Sequence, residues 1–120
     1  EFRDTKRYRE VLANGVRAVM PKKDVREKKV LKDFGISWTD FQRFNDDAEF
    51  KKLRAGALYY IEEKPERIPM SYHIVEGGET IFDLAQKYCI QEKVLFEYNE
   101  LDEDYELQAG DKIFFNPAEE

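Results

Sequence analysis

Short apolar runs with a period of two alternate with runs at helical spacing, and this pattern is written twice along the chain. In the C-terminal half, Tyr72–Glu76 reads as a short strand closed by Gly77-Gly78. Thr80 is placed to cap a helix on which Ile81, Leu84, Ala85 and Tyr88 share one face. Ile90-Gln91 makes a tight corner, and Val94, Leu95 and Tyr98 mark a second short helix that stops near Asn99. A polar loop, Glu100–Glu106, runs into a turn at Gln108-Ala109-Gly110-Asp111. Lys112–Phe115 then closes the unit as a strand, ended by Pro117.

The N-terminal half repeats the scheme. Val16–Met20 reads as a strand, Val30, Leu31 and Phe34 as one helix face, Phe41 and Phe44 as a second, and Leu58–Ile61 as the closing strand. Shifted by 54 residues, 34–61 lie over 88–115 without a gap. Phe34 falls on Tyr88, Ile36 on Ile90, Phe41 on Leu95, Phe44-Asn45 on Tyr98-Asn99 and Gly56 on Gly110. Upstream, Pro21-Lys22-Lys23-Asp24 replaces the glycine turn, in a connection expected to run about two residues longer. The segment Glu62–Pro69, stiffened by Pro65 and Pro69, reads as a linker. Residues 1–13 suit a short helix, with Tyr8, Val11 and Leu12 on one side, that would belong to a preceding domain. The expected organisation is therefore an N-terminal segment 1–13, a unit 14–62, a linker 63–70 and a unit 71–117. The fold class is α+β: two tandem βααβ units, each needing its helices against one face of a two-stranded sheet. Units of this size bury little and leave scant room for a water-excluding catalytic pocket.

Composition sharpens this. With 120 residues, 42% apolar and 14% aromatic, the chain has material for small cores. No apolar stretch is long enough for a membrane span. The opening run Glu1-Phe2-Arg3-Asp4-Thr5-Lys6-Arg7 has no hydrophobic segment behind it, and without an initiator Met it reads as starting inside a longer protein. The single cysteine, Cys89, sits between apolar positions and is expected to pack as a small hydrophobe. Charge divides the halves: residues 1–67 carry 17 Lys and Arg against 13 Asp and Glu, net +4, and residues 68–120 carry 3 against 13, net −10. Such asymmetry points to two units with different surfaces.

The run His73-Ile74-Val75-Glu76-Gly77-Gly78-Glu79-Thr80-Ile81-Phe82-Asp83-Leu84-Ala85 resembles the opening of LysM domains, with His73 where that family usually has Tyr. Tyr88, Ile90, Leu95, Asn99, Leu101, Leu107, Gly110, Ile113 and Phe115 follow at the family's spacing, so the resemblance covers 72–116. Residues 15–62 look like a diverged second copy that has lost the glycine-acid-threonine turn. The resemblance implies a two-stranded antiparallel sheet with two helices on one side. It also implies non-catalytic binding of glycans rich in N-acetylglucosamine, peptidoglycan or chitin, in a shallow groove between two loops. Carried over, one wall is Gly78, Glu79, Thr80 and Ile81, and the other is Asp104 to Leu107, including Tyr105 and Glu106. Phe82 and Tyr105 would flank the sugar as apolar platforms. Asn99 and Gly110 read as structural. Tandem copies after a charged segment also look like the C-terminal part of secreted bacterial glucosaminidases, which such units hold on the cell wall. No cofactor is implied.

Other chemistries fare worse. Val30–Phe41 has the form of a helix-turn-helix beside a basic cluster of Lys22, Lys23, Arg26, Lys28, Lys29 and Lys32. Its second helix, however, carries Asp40 and runs into Asp46-Asp47, which argues against nucleic acid. The cluster reads instead as a solvated helix face, or as a contact for wall carboxylates or for the acidic second copy. Asp102-x-Asp104-x-Glu106 hints at a calcium loop, but Leu107 stands where the glycine is needed and Ile113 where the glutamate is. His73, the only histidine, reads as packing rather than as a base. The competing reading is a protein-contact module of the cell envelope, with Trp38 and Phe50 marking an apolar contact surface.

Overall fold

A computed structural model describes residues 2–118 and shows a mixed α+β chain that divides into two compact units after Lys64, within the expected linker. Glu1, the first residue of the 1–13 segment, lies outside the described residues.

Unit 1 opens with a hairpin. β1 (Tyr8–Ala13) pairs antiparallel with β2 (Val16–Pro21) through the two-residue turn Asn14-Gly15. Both turn residues take positive φ, 52° and 82°, the twist that a tight hairpin requires and that Asn-Gly supplies at low cost. Residues 8–13 are thus a strand and not the expected helix. Tyr8 and Glu10 point inward while Arg9 between them is exposed, an alternation of two that overrides the helical spacing of Tyr8, Val11 and Leu12. The buried Glu10 accepts from Arg17 Nε at 2.7 Å and from the Arg3 amide at 3.1 Å. The Tyr8 hydroxyl donates to Asp33 at 2.8 Å; burial first, and that carboxylate second, push its pKa up to about 12.

The remaining elements of unit 1 are β3 (Val25–Arg26), α1 (Glu27–Phe34), α2 (Trp38–Phe44), β4 (Lys52–Leu53) and β5 (Tyr59–Tyr60). The sheet order is β1-β2-β5, with β3 and β4 forming a separate two-stranded ladder. Ser37 caps α2 by accepting from the Asp40 amide. Val19, Val25, Val30, Leu31, Phe41, Leu53 and Tyr59 make the core, and Phe50 packs edge-on against Tyr59 and Phe41. Phe50 is therefore partly buried against the core rather than the contact surface expected of it; Trp38 is exposed.

Unit 2 is β6 (Tyr72–Ile74), α3 (Ile81–Tyr88), α4 (Glu92–Tyr98) and β7 (Lys112–Phe114), with β6 and β7 antiparallel. Both helices contribute to one core of Ile81, Leu84, Ala85, Val94 and Leu95 with Val75, Ile113 and Phe115.

The 54-residue offset persists in three dimensions, and further than the sequence comparison reached. Each helix of unit 1 starts and ends 54 residues before its counterpart. Ala18 opposes Tyr60 as Tyr72 opposes Phe114. The Gly56 amide donates to Pro21 O as that of Gly110 donates to Val75 O. The connection into α1 is therefore not longer than its counterpart. Pro21–Arg26 and Val75–Thr80 have equal length. Gly35 and Cys89, both left-handed at φ 65° and 56°, end the first helix of each unit. Cys89 is fully buried. Asn45 and Asn99 repeat one three-bond bridge. Each donates from Nδ2 to the helix carbonyl four residues back (Phe41, Leu95) and to a strand carbonyl (Tyr60, Phe114), and accepts from the same strand residue's amide.

Candidate glycan groove in unit 2

The first wall begins at Gly78, whose φ of +87° lies in the region that L side chains avoid. Thr80 then starts α3 with a capping box. Its hydroxyl accepts from the Asp83 amide at 3.1 Å, and Asp83 accepts from the Thr80 amide at 3.0 Å. The box fixes the loop's exit and engages the Thr80 backbone, while Gly77, Gly78 and Thr80 are exposed residues.

Glu79 is held more tightly than its sequence suggests. One carboxylate oxygen meets His73 Nε2 at 2.8 Å and the Glu76 amide at 2.7 Å. The other His73 nitrogen, Nδ1, lies 2.7 Å from the Tyr88 hydroxyl. With Glu79 ionised, Nε2–H donates to it and Nδ1 accepts from Tyr88, so strand, loop and helix are linked by one fully bonded imidazole. His73 is thus a bridge rather than plain packing. No periodicity signals it; the only hint is an imidazole where the resemblance leads one to expect a phenol.

The Glu76 amide, and after it His73, hold the Glu79 carboxyl below its ordinary value of 4.5. A depressed folded-state pKa means the contribution to stability is complete above 4.5 and is lost as the pH falls below it. Acidification below that value is expected to lower the unfolding midpoint of unit 2, followed on the NMR signals of the single histidine, and to lower it less in Glu79→Gln. Equal acid sensitivity in the two proteins would contradict this assignment.

The second wall is looser. Asp104, Tyr105 and Glu106 are exposed, while Leu107 packs against the unit 2 core. Ile81 is itself a core residue, so of that pair the side chains face inward and only backbone is left for a ligand. Ile81 belongs to the unit 2 core and Leu107 packs against it. Tyr105 borders a depression of about 400 Å³ with Tyr98, Leu101 and Phe114. Its hydroxyl donates to Asp111 at 2.7 Å, and Asp111 also accepts from the Gln108 amide at 2.9 Å. These bonds raise the Tyr105 pKa and lower that of Asp111. Asp111 therefore sets the second loop, a role the sequence did not single out. Among the described residues, no group of three or more His, Cys, Asp or Glu side chains is placed to hold a metal, and no helix is long and apolar enough to cross a membrane.

A βααβ unit with a glycine-opened, threonine-capped loop is the geometry on which the family comparison falls: the sequence model of the LysM domain matches residues 73–115. Residues 73–115 are a LysM domain. No curated protein sequence matches the chain. LysM domains are in general non-catalytic modules that bind peptidoglycan or chitin, typically outside the cell or at its wall.

Proposed function

We propose that the LysM domain binds an N-acetylglucosamine-containing glycan, most naturally peptidoglycan, between Gly78–Ile81 and Asp104–Leu107, and that it anchors an attached wall enzyme such as a glucosaminidase. The setting is the bacterial envelope or its exterior. One observation carries the reading: the two loops are left unpaired in unit 2 and are zipped together in unit 1. Unit 1 shares the 54-residue offset, the strand register and the asparagine bridge, which supports its being a diverged LysM copy. There Val25 pairs with Leu53 and Arg26 with Lys52, and the Glu27 amide donates to Lys51 O at 3.2 Å. These are the positions of Glu79 with Leu107 and Thr80 with Glu106. A ladder across the groove consumes the backbone donors and acceptors an N-acetyl group would use, whereas the corresponding residues of unit 2 form no strand.

Calorimetric titration of the full chain with N-acetylglucosamine oligomers tests this, with Gly78→Val as the variant. A Cβ at Gly78 meets no atom within 4 Å, so what opposes it is the +87° backbone. Forcing a branched residue there costs roughly 1–2 kcal/mol, which converts to about tenfold in affinity if the wall must keep its shape. Unchanged affinity in the variant would remove Gly78 from the site.

A further inference from the structure

We infer that unit 1 carries a binding site for an acidic polysaccharide, on the same loop and helix that form the glycan wall in unit 2. A surface depression of about 650 Å³ is lined by six exposed cations, Arg7, Lys23, Arg26, Lys28, Lys29 and Lys32. Five of these stand, at the 54-residue offset, where unit 2 has Gly77, Thr80, Phe82, Asp83 and Gln86. At these five positions, none of them basic in unit 2, unit 1 carries positive charge, and its helices keep the same bounds at that offset.

The acids nearby are already engaged. Asp24, which also lines the depression, accepts from Arg54 and from the Ala55 amide, each at 3.0 Å. Asp33 holds Lys29 at 3.2 Å and the Tyr8 hydroxyl at 2.8 Å. Among the described residues, Arg7, Lys23, Arg26, Lys28 and Lys32 form no ion pair. Like charges crowded on one face repel, and a multivalent anion relieves that repulsion as it releases its counterions.

Nucleic acid fits this surface less well. No aromatic side chain lines the depression for a base to stack on. The second helix of the pair, which would enter a duplex groove, carries Asp40 in its first turn. The choice of a polysaccharide rests on the glycan reading of the LysM domain; the cation site does not. Carboxylate and phosphodiester groups would satisfy it equally.

The test is binding of the full chain to polyuronate, to poly(glycerol phosphate) and to single-stranded DNA of matched charge, at several salt concentrations. The structure leads us to expect that at least one of the two glycan-type polymers binds, and more tightly than the DNA. With about five charges neutralised, affinity should fall roughly 100-fold or more between 50 and 200 mM salt. The variant Lys23→Gln/Lys28→Gln/Lys32→Gln should lose at least about tenfold at the lower salt and show a shallower salt slope. Lys→Arg at the same positions should keep both. Trp38 fluorescence confirms that unit 1 stays folded in each variant. Absence of binding to either polymer, indifference to the Gln variant, or tighter binding of DNA would overturn the proposal. Neutral N-acetylglucosamine oligomers in the same samples read the LysM domain alone, so failure there with polymer binding intact would sink the glycan reading and leave the cation site standing.

Discussion

Asn45→Ala is expected to destabilise unit 1 by about 3 kcal/mol, a large share of what so small a unit can hold. The side chain is fully buried and joins the end of α2 to β5 by three hydrogen bonds of 2.8–2.9 Å. Truncation leaves the Tyr60 amide and carbonyl and the Phe41 carbonyl short of a partner in a place water does not reach. Each group so stranded costs about 1–3 kcal/mol, partly offset by relaxation. The same truncation at Asn99 is expected to cost about 1 kcal/mol, because that bridge is only partly buried and water can replace it. Trp38, the only tryptophan, begins α2, so its fluorescence in urea follows unit 1 directly. Equal losses at the two asparagines would mean that burial does not set the cost.

Lys64→Ala is the second large effect, about 3–5 kcal/mol. Lys64 is 2% exposed and its ammonium pairs with Asp46, whose side chain is 7% exposed; it also lies 5.6 Å from the centre of the Tyr60 ring. Bringing two charges out of water is costly, and the pair recovers that cost only while both members are present. Removing the lysine takes the countercharge away from a carboxylate that stays largely out of water. The double substitution Lys64→Met/Asp46→Asn should restore much of the loss, since an apolar stem with a neutral amide carries no orphan charge. If Lys64→Ala alone costs less than about 1 kcal/mol, the pair behaves as a surface salt bridge and the burial argument fails.

What the sequence made legible is what periodicity and offset encode. Helix faces such as Ile81, Leu84 and Ala85, the Thr80 cap, and the pairing of Phe34–Ile61 with Tyr88–Phe115 all recur in the fold. Less legible features depend on context. β1 is hidden because Tyr8, Val11 and Leu12 also fit a helix, and the Asn14-Gly15 turn that marks the hairpin does not figure in that reading. The β3–β4 ladder is two residues long on each side and half charged, too short for any period to show. The Glu79–His73–Tyr88 bridge spans strand, loop and helix, so only the fold brings its members together. Of the expected wall, Gly78 and Thr80 stand at the surface as read, whereas Ile81 and Leu107 turn inward for the same reason they were noticed, their apolarity.

The central claim is that the LysM domain, and not unit 1, holds neutral glycan in its open groove. Amide chemical-shift mapping of the full chain against neutral N-acetylglucosamine oligomers tests it most directly. The account predicts shifts gathered at Gly78–Ile81 and Asp104–Leu107, with Asp24–Arg26 silent behind its ladder. No shifts at millimolar sugar, or shifts concentrated at Asp24–Arg26, would contradict it.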